Sequence, residues 1–267
     1  RAAAIQMRST TKLTENLDRA NTLISEAKRN QATVVALPEF FPLIGPPGAS
    51  IEICEAVGDG PIQQFLSQQA KQHHIWLLGG TIPLKSDVPK KLKAASLLYS
   101  PDGNCHTRYD KIHLFDANVI DNTGQYRESV HVQPGETVMV AKTPLGRLGL
   151  SVCYDIRFPE LYRRMSSEGM DMVFVPAAFT VPTGEAHWET LLRARAIENQ
   201  CYLVAPAQHG KHDSGRETHG NSMIIDPWGK ILSRSPTGEA VIFADINLSQ
   251  LRQIRQELPA LDHIRLR

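Results

Sequence analysis

The chain has 267 residues, of which 42% are hydrophobic and 21% charged. This length is enough to bury a substantial core, and the absence of a long linker or a fixed-period repeat predicts one domain over residues 1–267. The 29 basic and 28 acidic side chains leave a formal net charge of +1. Surfaces for nucleic acid or anionic membranes need a concentrated basic footprint, so we expect neither partner.

The four cysteines are far apart in the sequence and form no Cys-x-x-Cys pair. Thiols spaced in this way are typical of a reducing compartment rather than of a disulfide framework, so we expect a cytoplasmic protein. No apolar run approaches the length of a membrane span, and no signal-peptide pattern opens the chain.

The first half of the chain alternates the periodic pattern of amphipathic helices with short, continuously apolar runs that are typical of buried strands. The predicted elements are a helix over 13–27, a strand over 33–37, a helix over 62–70, a strand over 75–82, and strands over 94–99 and 105–109. A Ser-Pro-Asp-Gly-Asn turn separates the last two strands, which predicts a hairpin.

The second half continues the alternation. The predicted elements are strands over 148–152, 172–175 and 202–207, helices over 160–168 and 186–198, a hairpin of 223–225 with 230–233, and a helix beginning near Leu248. Strand–helix alternation with interspersed hairpins predicts an α/β protein with a mixed sheet and outer helices. The segments 116–134 and 209–220 are long for loops of a compact domain, which favours a functional or mobile role.

Three reactive side chains each follow a predicted strand directly. Glu39 follows the strand over 33–37, Lys111 follows the hairpin strand, and Cys153 ends the strand over 148–152. Taken singly, these residue types are more often a solvated carboxylate, a surface ammonium and a small buried thiol. Together they are more informative, because an open α/β sheet builds its sites along one edge, at the ends of its strands.

The chemistry of the three groups is complementary. A carboxylate can accept the thiol proton and later return it, and an ammonium favours the thiolate and can neutralise an oxyanion. The helix predicted just after Cys153 should also stabilise a thiolate through its N-terminal N–H groups. A thiolate supplies covalent catalysis, so this set of groups suits acyl transfer at a C–N bond.

Three sequence motifs resemble the Glu, Lys and Cys motifs of the nitrilase superfamily. They are Leu-Pro-Glu-Phe at 37–40, Arg-Tyr-Asp-Lys-Ile-His-Leu at 108–114, and the run from Ser151 to Leu161. They occur in the order and approximate spacing of that superfamily, and the similarity extends through 186–200 and 226–229 to nearly the whole chain. Within the superfamily the chain is most similar to the Nit branch, which contains deaminated-glutathione amidases and their ω-amidase relatives.

The resemblance implies a four-layer α-β-β-α sandwich, paired as a homodimer or a larger homo-oligomer through the layer that carries the Cys region. It implies Glu39 as general base and acid, Lys111 as oxyanion stabiliser and Cys153 as nucleophile. A second glutamate commonly lies between the Lys and Cys motifs, and Glu128 matches it here. The resemblance also implies an oxyanion contact from the backbone N–H of Tyr154, and neither a metal nor an organic cofactor.

The implied activity is hydrolysis of a linear carboxamide through a Cys thioester. Tyr-Asp follows the nucleophile where true nitrilases usually have Trp-Glu, which favours an amide over a nitrile. The Nit-branch resemblance indicates deaminated glutathione, cut to α-ketoglutarate and cysteinylglycine. The stretch of Ala177, Ala178, Phe179 and Thr180 and the loop 209–220 would then line the pocket. The sequence leaves open α-ketoglutaramate or another small amide as the substrate, and a non-catalytic interaction scaffold as a function of another class.

Two further groups of residues have structural interpretations at this stage. Arg157 and Glu160 follow the nucleophile closely enough to pair and brace its turn. His209, His212 and His219 lie without a cysteine or carboxylate at the spacing of a structural zinc site, so a solvated loop is favoured over a metal site.

Overall fold

A computed structural model describes residues 1–266 of the chain. The strands are β1 Ala2–Gln6, β2 Val34–Ala36, β3 Trp76–Leu78, β4 Ile82–Lys85, β5 Leu92–Tyr99, β6 Cys105–Asp110, β7 Asp116–Asn118, β8 Gln125–Arg127, β9 Val140–Thr143, β10 Gly146–Leu150, β11 Met172–Phe174, β12 Tyr202–Ala205, β13 His209–Lys211, β14 Glu217–His219, β15 Ser222–Ile225, β16 Ile231–Ser235 and β17 Ala240–Ala244. The α-helices are α1 Leu13–Arg29, α2 Pro61–His73, α3 Pro159–Ser167, α4 Val181–Thr183, α5 Glu189–Glu198 and α6 Leu248–Glu257.

The strands form two mixed sheets and two small hairpins. Sheet one has the order β17-β1-β2-β3-β5-β4, and β6 pairs with β5 as the predicted hairpin. Sheet two has the order β16-β15-β12-β11-β10-β9. The central strands of each sheet, β1-β2-β3 and β10-β11-β12, run parallel, so their carboxyl ends lie along one edge.

The two sheets pack face to face, and helices cover their outer faces. In β1, Ala2 and Ala4 belong to a central core that includes Leu148 and Leu150 of sheet two. The alternate residues of β1 face an outer core with the apolar residues of α1 and α2. The other outer layer is α3 and α5, whose buried residues join the core of sheet two. The predicted α-β-β-α sandwich is therefore confirmed.

The structure corrects three details of the predicted elements. The strand predicted over 75–82 is two strands, β3 and β4, because the chain bends at Gly79 and Gly80. Gly80 has φ +51°, and a Cβ there would lie 1.9 Å from the carbonyl oxygen of Pro38. The long segments predicted as loops contain the hairpins β7–β8 and β13–β14. The sequence prediction also missed β9, β17 and β1, and the three alanines of β1 have low strand propensity.

None of the helices within residues 1–266 combines the length and the apolar character that crossing a bilayer requires.

Candidate active site

One cavity of about 320 Å³ collects the catalytic residues predicted from the sequence. This volume falls at the lower end of the range of small-molecule sites, about 300–1,000 Å³. Its walls include Glu39, Lys111, Glu128, Cys153, Tyr154, Ala178, Phe179 and Thr180. The cavity lies between the two sheets at the ends of β2, β6 and β10, and Glu39, Lys111 and Cys153, which come after these strands, line it.

Cys153 occupies a strained turn after β10. Its φ is +47°, a left-handed conformation that a residue with a Cβ seldom adopts. The turn is held by a hydrogen bond from the N–H of Cys153 to the carbonyl of Pro176, 2.9 Å long. A short 3₁₀-helix, Cys153–Arg157, begins at the nucleophile itself, so the N–H groups of its first turn have no acceptor within that helix. Backbone strain of this kind concentrates at functional sites.

Glu39 lies in the loop after β2 and is 1% exposed. Its Oε1 accepts a hydrogen bond from Nζ of Lys111 at 2.8 Å, and its Oε2 accepts one from the N–H of Ala178 at 2.8 Å. The carboxylate therefore bridges a side chain after sheet one and a backbone group after sheet two. These two bonds fix its orientation beside Cys153, whose acidity it perturbs.

Lys111 follows β6 and is buried, with its ammonium between two carboxylates. Besides Glu39, it contacts both oxygens of Glu128, at 3.0 and 2.8 Å. Glu128 is further held by the N–H of Phe115, which donates to its Oε2 at 2.6 Å. A buried ammonium with two carboxylate partners has a fixed position, which is what stabilisation of a developing oxyanion requires.

The charges in the cavity determine which groups are ionised. Burial favours the neutral amine of Lys111, but the charges of Glu128 and Glu39 outweigh it and raise its pKa above the ordinary value. Burial raises the pKa of Glu128, although Lys111 opposes the shift. Burial also raises the pKa of the Cys153 thiol well above its usual range, and the Glu39 carboxylate adds to this increase. Lys111 lowers that pKa but does not overcome the first two effects.

Cys153 therefore rests as a thiol at neutral pH. Lys111 favours the thiolate, as expected from the sequence, but the burial of the sulfur and the adjacent Glu39 carboxylate favour the thiol more strongly. A carboxylate in this position can accept a thiol proton.

Asp155, which the sequence prediction did not select, connects the Cys turn to the Lys strand. It is fully buried, and its Oδ2 accepts from the hydroxyl of Tyr109 at 2.7 Å and from the N–H of Val152 at 2.8 Å. Its Oδ1 accepts from the backbone N–H of His113 at 3.0 Å and pairs with Nδ1 of that ring at 2.7 Å. One carboxylate thus ties the residues before Cys153 to those on both sides of Lys111.

Three residues of the stretch 177–180 line the pocket, in different ways. The N–H of Ala178 is occupied by Glu39, and its carbonyl accepts from Nη2 of Arg216 at 2.7 Å. The ring of Phe179 packs on Trp188 with ring centres 4.7 Å apart. The hydroxyl of Thr180 lies 2.7 Å from the hydroxyl of Thr183, which also lines the cavity.

The proposed pairing of Arg157 with Glu160 is wrong. The guanidinium of Arg157 lies at the cavity wall instead, over the rings of Tyr154 and Phe179 at 5.7 and 5.4 Å. Its nearest polar side-chain partner is Nδ1 of His187, at 3.3 Å. The turn is braced by Asp155, and Arg157 is left to face the cavity.

The histidines of the segment 209–220 have structural contacts. His212 is buried, with Nδ1 2.9 Å from the carbonyl of Ser9 and Nε2 2.8 Å from the hydroxyl of Thr218, so a solvated loop was the wrong description for this residue. Within residues 1–266 no group of His, Cys, Asp or Glu side chains is arranged to hold a metal ion.

The family model described as carbon-nitrogen hydrolase matches residues 1–256 of the chain. The chain is 45% identical over 266 residues to a deaminated glutathione amidase of Synechocystis, an alignment that covers 98% of this chain and 97% of that protein. It is 37% identical over 265 residues to an omega-amidase of Mus musculus, covering 98% and 93% of the two chains.

Two solved structures are similar to this fold at more than 30% identity. The nitrilase–fragile histidine triad fusion protein of Caenorhabditis elegans superposes with a TM-score of 0.89 at 37% identity, covering 99% of this chain and 64% of that longer protein. Saccharomyces cerevisiae Nit3, described as a member of branch 10 of the nitrilase superfamily, gives a TM-score of 0.88 at 31% identity, covering 97% and 93%.

Proposed function

Because the chain belongs to the carbon-nitrogen hydrolase family, we propose that it hydrolyses the amide of deaminated glutathione through a thioester on Cys153. The observation that carries the proposal is the convergence of Cys153, Glu39 and Lys111 in one buried cavity. These groups supply a nucleophile, a proton acceptor and a fixed positive charge, which are the components of acyl transfer. A scaffold without catalysis has no use for a buried charge cluster beside a strained thiol.

In the first half-reaction the thiol of Cys153 transfers its proton to Glu39 as the sulfur attacks the amide carbon. The carbonyl oxygen becomes an oxyanion, which the ammonium of Lys111 and the N–H of Tyr154 stabilise. Loss of one such donor typically lowers the rate by about a hundred- to a thousandfold. Glu39 then returns the proton to the departing amine nitrogen, the C–N bond breaks, and the acyl group remains on sulfur as a thioester.

In the second half-reaction a water molecule attacks the thioester carbon and gives a proton to Glu39. The C–S bond breaks, Cys153 recovers that proton, and the acyl group leaves as a carboxylic acid. Glu128 serves both steps by holding Lys111, since its two oxygens lie within 3.0 Å of the ammonium. The sum of the two steps is hydrolysis of one amide by one water, without a metal or an organic cofactor.

The choice of deaminated glutathione rests on the 45% identity to an amidase named for that substrate, over nearly the full length of both chains. The second candidate is ω-amidase activity on α-ketoglutaramate, which the 37% identity to the mouse enzyme favours. Both substrates present the same α-keto acyl group to Cys153. They differ in the leaving group, which is cysteinylglycine in the first and ammonia in the second.

The test compares wild type, Cys153→Ala and the surface control Cys105→Ala on both amides, with release of α-ketoglutarate as the common readout. We expect wild type and the control to hydrolyse deaminated glutathione with the higher kcat/KM, and Cys153→Ala to hydrolyse neither compound. A strong wild-type preference for α-ketoglutaramate would replace the first assignment with the second. Full turnover by Cys153→Ala would refute the thioester mechanism.

We also propose that residues 1–267 act as a single domain in a homodimer, in the cytoplasm. The central core takes residues from both sheets, which supports one folding unit. Ile197 of α5 and Trp228 nearby are 48% and 65% exposed on the outer layer next to the Cys region, which supports pairing through that layer. The four cysteines are free, which supports a reducing compartment.

A further inference from the structure

Besides Arg157, the cavity wall contains the guanidinium of Arg216, which also has no carboxylate partner among the described residues. This residue precedes β14 in the turn of the β13–β14 hairpin and is partly buried. Its guanidinium carbon lies 5.7 Å from the ring centre of Phe40 and 5.5 Å from that of Tyr126. Nη2 donates to the carbonyl of Ala178 at 2.7 Å. Two aromatic rings and one carbonyl thus hold the planar group against the cavity wall.

Apart from the bond of Nη2 to Ala178, Arg216 has donors without acceptors among the described residues. Among the described residues no carboxylate lies within salt-bridge distance of it, and its Nε is buried without a hydrogen-bond partner. A buried donor left unsatisfied is unfavourable, and a bound anion would relieve this cost. Arg127, also on the cavity wall, is different, because its guanidinium bonds the carbonyls of Ala117 and Tyr126 and the amide oxygen of Asn118.

The position of Arg216 places it on the side of the leaving group. The leaving nitrogen must lie near Glu39, from which it takes its proton. The backbone of Ala178 connects Glu39 with Arg216, since its N–H donates to Glu39 and its carbonyl accepts from Arg216. Arg157 occupies a different wall, over Tyr154 and Phe179 and four positions after the nucleophile.

We propose that Arg216 binds the carboxylate at the far end of the leaving group and thereby selects an anionic peptide-like amine over ammonia. The inference rests on the proposed function, in which deaminated glutathione carries one carboxylate on its α-keto acyl end and another on its glycine. α-Ketoglutaramate has only the first. A guanidinium recognises a carboxylate with two parallel N–H donors, so this residue makes the second carboxylate a requirement for tight binding.

The test is a substrate–variant cycle. Wild type, Arg216→Gln, Arg216→Lys and the control Arg127→Gln are assayed on deaminated glutathione, on its analogue with a terminal glycine carboxamide, and on α-ketoglutaramate. We expect Arg216→Gln to lose about 10- to 100-fold in kcat/KM on deaminated glutathione, mainly through KM, because a hydrogen bond to a charged group is lost. On the two substrates without the glycine carboxylate its kcat/KM should stay within about threefold of wild type.

Two controls separate recognition from general effects. Arg216→Lys keeps the positive charge, so it should retain part of the preference for the free carboxylate over the carboxamide even if Arg216→Gln folds poorly. Arg127→Gln removes the same charge from a guanidinium whose bonds go to Ala117, Asn118 and Tyr126, and should leave that preference unchanged. Equal losses by Arg216→Gln on the carboxylate and carboxamide substrates would overturn this inference alone. Wild type inactive on all three compounds would overturn the proposed function, and the inference with it.

Discussion

Replacement of Asp155 by asparagine should weaken both the fold and the catalytic geometry. The buried carboxylate accepts four hydrogen bonds, two on each oxygen. On each oxygen one donor is a backbone N–H, of Val152 or of His113, and the other is a side chain. Asparagine replaces one oxygen with an NH2 group, which cannot accept any of these bonds.

The structure limits how far the protein can adapt. If the new NH2 faces Tyr109, that hydroxyl can turn and accept, and if it faces the ring of His113, that ring can change its tautomer and accept. In either orientation one backbone N–H faces another donor and loses its acceptor. An unsatisfied buried donor costs about 1–3 kcal/mol, and the remaining bonds lose the contribution of the negative charge, so we expect a loss of about 2–4 kcal/mol in the free energy of unfolding.

The measurements are denaturant unfolding and steady-state hydrolysis of the amide for Asp155→Asn, with Tyr109→Phe as the matched control. The control removes one side-chain donor and leaves the N–H groups of Val152 and His113 paired with Asp155. It also removes the acceptor of the Ile112 N–H, a longer bond of 3.3 Å, so its loss should be about 1–2 kcal/mol. Because Asp155 joins the Cys turn to the Lys strand, Asp155→Asn should also lower kcat. An unfolding free energy within about 0.5 kcal/mol of wild type would refute the account of Asp155 as the connection between these segments.

Two more predictions follow from the site. Gly80→Ala should destabilise the protein and lower kcat, because a Cβ there would lie 1.9 Å from the carbonyl oxygen of Pro38, the residue before Glu39. The control Gly238→Ala has a similar positive φ and no atom within 4 Å, so it measures the cost of the backbone conformation alone. Equal effects of the two substitutions on kcat would contradict the role of the close approach. Alkylation by iodoacetamide needs the thiolate, so the raised pKa of Cys153 predicts that its rate keeps increasing as pH rises above 9. The rate for a free thiol of pKa about 8.5 levels off there. A plateau of the Cys153 rate below pH 9 would refute the raised pKa of this thiol.

The parts of the site that the sequence predicts are those carried by local pattern. Lys111 follows β6 directly, and Glu39 and Cys153 lie three residues after the ends of β2 and β10, so strand prediction and the rule that strand ends share an edge were enough to group them. Asp155 has no such signal, and for Arg216 the resemblance indicated only that its loop would line the pocket. Their partners are set by how the two sheets and the hairpin pack, at sequence separations of 46 and 38 residues for their bonds to the Tyr109 hydroxyl and the Ala178 carbonyl.

The protonation state of the nucleophile was also beyond sequence reasoning, for a related physical cause. The residues near Cys153 in sequence suggest a stabilised thiolate, because a helix begins there and helix N-termini favour negative charge. The residues near it in space include a buried carboxylate, and burial itself disfavours a charged sulfur. These two effects decide the pKa, and both depend on packing rather than on local sequence.

The groups proposed for catalysis follow strands of different sheets, so the distance between Glu39 and Cys153 depends on how the two sheets pack. Glu39 and Lys111 follow strands of sheet one, whereas Cys153 and Ala178 follow strands of sheet two. Hydrogen bonds connect the segments after the two sheets near the cavity, from Ala178 to Glu39 and from Tyr109 and His113 to Asp155. Each of these bonds uses a buried carboxylate, and charge-assisted bonds are the stronger kind in such surroundings. Glu39, the proposed acceptor of the thiol proton, therefore also helps to set its own distance from the thiol.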